Sequence, residues 1–135
     1  MNITRIDHIN IAAPGPLLEQ VRDFYCQVLG LENGFRPDFS SSGYWLYAGD
    51  SPLVHLSLSG SLPDSTSRGH LDHVAFHASG LQAMIKRLEA AGIKYRCSDI
   101  PQLELSQLFF VDPAGVGIEV NFRGEQTVQA AAGPA

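Results

Sequence analysis

An Asp-His step occurs twice in this chain, each time opening a short apolar run. Ile6-Asp7-His8-Ile9-Asn10-Ile11-Ala12 returns as Leu71-Asp72-His73-Val74-Ala75-Phe76-His77, with His8 and His73 65 residues apart. A second stretch repeats behind the first. Tyr47 to Leu58 overlays Val111 to Phe122 over twelve residues without a gap, at an offset of 64, and His55 then falls on Glu119. Two offsets that differ by one residue indicate internal duplication of a single unit. Each copy of such a unit leaves one sheet face incomplete and must cover it.

The order of elements supports two copies. Ile3 to Ala13 is β-branched and ends at Pro14-Gly15-Pro16, which suits a buried strand with Ile6, His8 and Asn10 on one face and Asp7, Ile9 and Ile11 on the other. Leu17, Val21, Phe24 and Val28 then recur at helical spacing, with Gly30 as the stop. Glu32 to Pro37, Tyr44 to Tyr47 and Leu53 to Leu58 read as three strands separated by Ser- and Gly-rich turns. The same series follows Gly60 to Gly69, which has the composition of a linker. Leu71 to Ala78 is a strand, and Ser79-Gly80-Leu81-Gln82 has the form of a capping box. Leu81, Ile85 and Leu88 carry a helix to Gly92. Tyr95 to Ile100, Gln107 to Val111 and Gly117 to Phe122 supply three more strands. The reading is one α+β domain over residues 1–123, with modules near 3–59 and 70–123, a linker at 60–69 and a disordered tail over 124–135.

Composition narrows the partners. The 135 residues, 44 % of them hydrophobic, are enough for one domain core. A net charge of −5 with no run of Lys or Arg argues against nucleic acid and against an anionic membrane surface. Cys26 and Cys97 form neither a CxxC pair nor a secreted disulfide framework. No apolar run approaches the roughly 20 residues of a membrane span, and Met1 to Arg5 has no signal-peptide core. A soluble cytoplasmic protein is expected.

The duplication also nominates a site. His8 and His73 occupy equivalent points of first strands, and His55 and Glu119 equivalent points of last strands. Imidazoles and a carboxylate on strands, with open positions, suit Zn, Ni, Mn or Fe(II). Any one buried histidine is ordinarily satisfied by a neighbour, but three imidazoles and a carboxylate buried without a cation would be costly. His77 lies on the His73 face and could line the same cavity; His70 has no assigned role. Asp7 and Asp72 face away as solvated carboxylates. Tyr44, Trp45 and Tyr47 are either core or the wall of a pocket for an aromatic or apolar substrate. Asp112-Pro113-Ala114-Gly115 reads as the tight turn that delivers Glu119.

With these residues in place, the chain resembles the vicinal oxygen chelate superfamily, the group of glyoxalases, bleomycin-resistance proteins and extradiol dioxygenases. The resemblance runs from Ile3 to about Phe122 and rests on His8, His73, the Asp112-Pro113-x-Gly115-x-x-x-Glu119 step and the doubled βαβββ order. It implies paired βαβββ modules forming a cup-shaped mixed sheet around a divalent metal, commonly in a homodimer, with His8, His73 and Glu119 matching the family's metal triad. His55 is a departure. Glyoxalase I enzymes usually place a carboxylate there as fourth ligand and base partner, whereas in extradiol dioxygenases the position resembles an acid-base histidine. The tyrosine of the dioxygenase signature is Phe109 here. Three readings follow from the resemblance. One is a glyoxalase-type lyase or isomerase with Glu119 or His55 moving the proton. The second is an Fe(II) ring-cleaving dioxygenase with His55 as acid-base group. The third is a non-catalytic binder of an antibiotic or other planar molecule.

Overall fold

The computed structural model describes residues 1–2, 5–6, 8–60, 71 and 73–126. Ile3, Thr4, Asp7, Asp72, His70, the span 61–70 and the tail from 127 onward lie outside the described residues, and with them most of the expected linker and tail. The chain divides into two compact units, Met1–Ser67 and Arg68–Ala135. Each carries one helix and one four-stranded mixed sheet. The α+β expectation holds, with βαβββ run twice.

In the first unit, β1 (Ile9–Ala13), α1 (Gly15–Gln27), β2 (Glu32–Gly34), β3 (Gly43–Ala48) and β4 (Ser51–Leu58) give a sheet of order β1-β4-β3-β2. β1 runs parallel to β4, and β3 antiparallel to it. Pro14 at the N-cap and Pro16 in the first turn start α1, where a missing N–H costs nothing. Its buried stripe is Leu18, Val21, Phe24 and Tyr25, continued by Val28. Leu17, expected in that stripe, is only half-buried. These side chains meet Ile11, Ala13, Leu46, Val54 and Leu56, which are all buried. Gly43 allows the strands to close: a Cβ there would stand 2.0 Å from the Leu56 carbonyl oxygen.

β1 is shorter than its β-branched run suggests. It begins at Ile9, which leaves His8 just outside the ladder and Ile6 exposed. Ile9 stands opposite Val54, so the next residues of β4 in that direction are Leu53 and Pro52. Pro52 has no N–H with which to extend the pairing.

The second unit repeats the plan. It contains β5 (His73–Ala78), α2 (Leu81–Ala90), β6 (Arg96–Ile100), a 3₁₀ turn (Pro101–Leu103), β7 (Leu105–Val111) and β8 (Gly117–Arg123), with sheet order β5-β8-β7-β6. β5 and β8 are parallel. Leu108, Phe110, Ile118, Val120 and Phe122 are buried on one face, and Leu81, Met84 and Leu88 form the buried stripe of α2.

The start of α2 is made differently from the sequence expectation. Gly80, not Ser79, is the N-cap, at φ 90°, with no side-chain cap bond from that position. Glu125 supplies the cap from far along the chain, its carboxylate accepting from Gly80 N at 3.1 Å and Leu81 N at 2.8 Å. A carboxylate there satisfies two otherwise orphaned donors and complements the helix dipole. The ordered chain therefore runs past Gly124, where a tail was expected to begin. Glu125→Ala should lower stability by about 1 kcal/mol, read as a lower urea midpoint with an unchanged slope. An unaltered midpoint would remove the capping role.

Candidate functional site

The duplication read from sequence reappears as hydrogen-bond register. In the first unit His55 stands opposite Asn10 on β1 and Trp45 on β3. In the second, Glu119 stands opposite Ala75 on β5 and Phe109 on β7. Asn10 and Ala75 are the equivalent residues of the two copies, as are Trp45 and Phe109. Each first histidine, His8 or His73, therefore lies two residues before the partner of its central-strand group. By the alternation of a strand, all of these point away from the helix-covered face.

In the first unit the pair is a stack. The His8 and His55 rings lie 3.8 Å apart at 12°, and Trp45 stacks on His55 at 4.0 Å and 12°. His55 is thus held between two rings and only 9 % exposed, while His8 is exposed. Nearby, Asn10 Nδ2 donates to Ser57 Oγ at 2.9 Å. Of the three aromatics read as either core or pocket wall, Trp45 packs on the histidine face. Tyr44 points to α1 and donates to Glu19 at 2.5 Å, a bond that holds its phenol above the ordinary value. Tyr47 follows a register shift in β3 and donates to the Phe35 carbonyl. Alternation separates Tyr44 from Trp45, which a run of aromatic letters does not reveal.

In the second unit the pair is polar. His73 Nε2 lies 3.8 Å from Glu119 Oε1, with the histidine half exposed and the glutamate 14 % exposed. The other glutamate oxygen accepts from Asn121 Nδ2 at 2.9 Å, and Asn121 in turn accepts from Gln107 Nε2 at 3.1 Å. Asn121 sits two residues beyond Glu119 on the same face, so period-two spacing could have nominated it. The turn before β8 is as expected. Asp112, 4 % exposed, accepts from Ala114 N and Val116 N at 2.8 Å each, and Gly115 takes φ 88°. His77 is exposed and stands opposite Asn121, on the His73 face.

A divalent cation suits the second pair. Two ligands held at 2.0–2.1 Å around a tetrahedral ion are roughly 3.3 Å apart, and 3.8 Å exceeds a hydrogen bond while lying close to that spacing. The stacked pair is different. Imidazole lone pairs lie in the ring plane, so an ion midway between stacked rings whose centroids are 3.8 Å apart would sit well out of both planes, up to about 1.9 Å. As stacked, His8 or His55 can bind a given ion, not both. No group of three or more His, Cys, Asp or Glu side chains among the described residues is arranged to hold a metal ion, so each unit presents a pair.

Comparison with known proteins gives one consistent picture. A family model described as the Glyoxalase/Bleomycin resistance protein/Dioxygenase superfamily matches residues 5–120. A protein of Arabidopsis thaliana named Glyoxylase I 4 is 28 % identical over 127 residues, covering 89 % of this chain and 71 % of its own. A solved glyoxalase family protein from Bacillus anthracis superposes with a TM-score of 0.71 at 24 % identity, covering 91 % of this chain and 98 % of that one. A variant of the fosfomycin resistance protein of Listeria monocytogenes, solved with Mn(II), gives 0.68 at 17 % identity, with 90 % and 94 % covered. No described helix is long and apolar enough to cross a membrane.

Proposed function

Because the chain belongs to the Glyoxalase/Bleomycin resistance protein/Dioxygenase superfamily, we propose that it is a metal-dependent enzyme of the glyoxalase type. In this reading it is a lyase or isomerase that takes a small substrate through two vicinal oxygens. The observation that carries the proposal is the matched register of His55 and Glu119, each opposite the residue two beyond the first histidine of its unit, His8 or His73. His8, His73 and Glu119 are the proposed ligands. Two imidazoles and a carboxylate make a mixed donor set that Zn, Ni, Mn and Fe(II) all accept, and Mn(II) is present in the Listeria relative.

When bound, a divalent cation polarises the substrate oxygens and acidifies the adjacent C–H bond. The chain's own residues do the rest. Asn121 and Gln107 fix the Glu119 carboxylate by one oxygen, which orients the other for a ligand or for a proton. His55 stands behind His8, held by Trp45. With His8 as the ligand, that placement favours an acid-base role for His55, since the two stacked rings cannot both bind one ion.

The stack also favours a second reading, a ring-cleaving dioxygenase in which His55 is the acid-base group. Two measurements separate the readings. Protein purified without chelator and titrated with Zn, Ni, Mn and Fe(II) should take up one equivalent of metal per chain. The glyoxalase reading expects turnover of a 2-oxoaldehyde–thiol adduct and no oxygen uptake by the Fe(II) form with catechols. Uptake would transfer the assignment to the dioxygenase, and failure to bind any of the metals would leave a non-catalytic ligand-binding protein.

A further inference from the structure

We infer that the substrate is a small organic anion, and that Arg96 and Lys94 form the subsite for its carboxylate, phosphonate or phosphate group. The inference rests on the reading above for the position of the reacting oxygens at His73 and Glu119. The subsite itself stands on different residues.

The second unit has a cavity of about 600 Å³ whose lining includes His73, Lys94, Arg96, Phe109, Val111 and Gly117. That volume suits a small ligand. Register explains the lining: His73, Gly117 and Val111 stand side by side across β5, β8 and β7, and Arg96, Phe109 and Glu119 do so across β6, β7 and β8. All of these share the face away from the buried core. Arg96 starts on the edge strand but leans inward, its guanidinium carbon 4.2 Å over the Phe109 ring. The cation is therefore roughly one strand spacing, about 5 Å, from the strand that bears Glu119.

Three features make this an anion site. A guanidinium held over an aromatic ring is restricted in position, and its N–H groups can fork onto two oxygens. Neither Arg96 nor Lys94 forms an ion pair with a carboxylate among the described residues, whereas Arg22 is engaged by Glu19 and Asp23. The local charge is opposite to that of the whole chain, which is −5. Lys94 and Arg96 line the cavity and no carboxylate does, so its two charged lining residues give it +2. Such a face repels cationic ligands and concentrates anions. The reacting oxygens and the anionic group would lie a few bonds apart, which sets the size of the substrate.

The test uses the full chain, stripped of metal, titrated with inorganic phosphate and separately with acetate at constant ionic strength. Binding is followed by amide NMR shifts. Saturable shifts centred on Phe109, Val111 and Gly117 are expected. Arg96→Gln together with Lys94→Gln should weaken binding at least tenfold, and Lys86→Gln, an exposed lysine on α2, should leave it unchanged. Tighter binding of phosphate than of acetate assigns a dianionic group, and the reverse a carboxylate. The inference is overturned if the double variant binds both anions as the wild type does, or if the shifts lie elsewhere. The two proposals fail separately. Normal metal uptake without anion binding rejects the subsite alone, and anion binding by a chain that takes up no metal rejects only the metal centre.

Discussion

Glu119→Gln should weaken divalent-cation binding by more than about 100-fold, measured by competition with a coloured chelator. Loss of an outer partner of a metal ligand costs roughly 10–100-fold, and here the charge of a proposed ligand itself is removed. The substitution keeps the side chain's length and the oxygen that accepts from Asn121, so shape and folding are preserved while the anionic donor is lost. Circular dichroism and the thermal midpoint should therefore stay close to wild type. His73→Ala is expected to lose metal alongside it, since His73 lies 3.8 Å from the same carboxylate. If the Gln variant held its metal as tightly as the parent, Glu119 would be no ligand and the paired registers would be structural only.

Phe122→Ala carries the largest expected cost to stability. Its side chain is fully buried on β8, between Ala78 of β5 and Ser106 of β7, on the face opposite Glu119. Truncating a buried phenylalanine removes about 3–5 kcal/mol through lost transfer energy and the cavity left behind. The urea midpoint followed by circular dichroism should fall by roughly 1.5–3 M. A shift under 0.5 M would mean that the second sheet does not depend on this face for its packing. Because Glu119 and Asn121 ride on the same strand, weaker metal binding at moderate urea should accompany the loss.

Much of this was legible because strand physics writes itself into period two and into matched offsets. The His55–Glu119 equivalence came from a gapless overlay and reappears as equivalent central-strand registers. The turn at Asp112 was readable because Asp-Pro-x-Gly supplies both the accepting carboxylate and the residue that tolerates positive φ. The cap of α2 was not. Ser79 and Gln82 satisfy the local pattern, yet the carboxylate that caps the helix belongs to Glu125, and no window of local sequence contains both. The start of β1 at Ile9 is not legible for a related reason. Ile6 favours a strand by propensity, but pairing stops where the partner strand has no donor, and Pro52 lies on another element.

The sequence by itself determined the duplicated βαβββ plan, the faces of the strands and the four residues worth testing, since spacing alone decides which side chains share a face. Tertiary structure decided how each pair is arranged. His8 and His55 came out stacked against Trp45, and His73 and Glu119 came out 3.8 Å apart with Asn121 bracing the carboxylate. Ring planes, lone-pair directions and the lean of Arg96 over Phe109 depend on neighbours brought in from other strands. Those neighbours are fixed only when the chain folds.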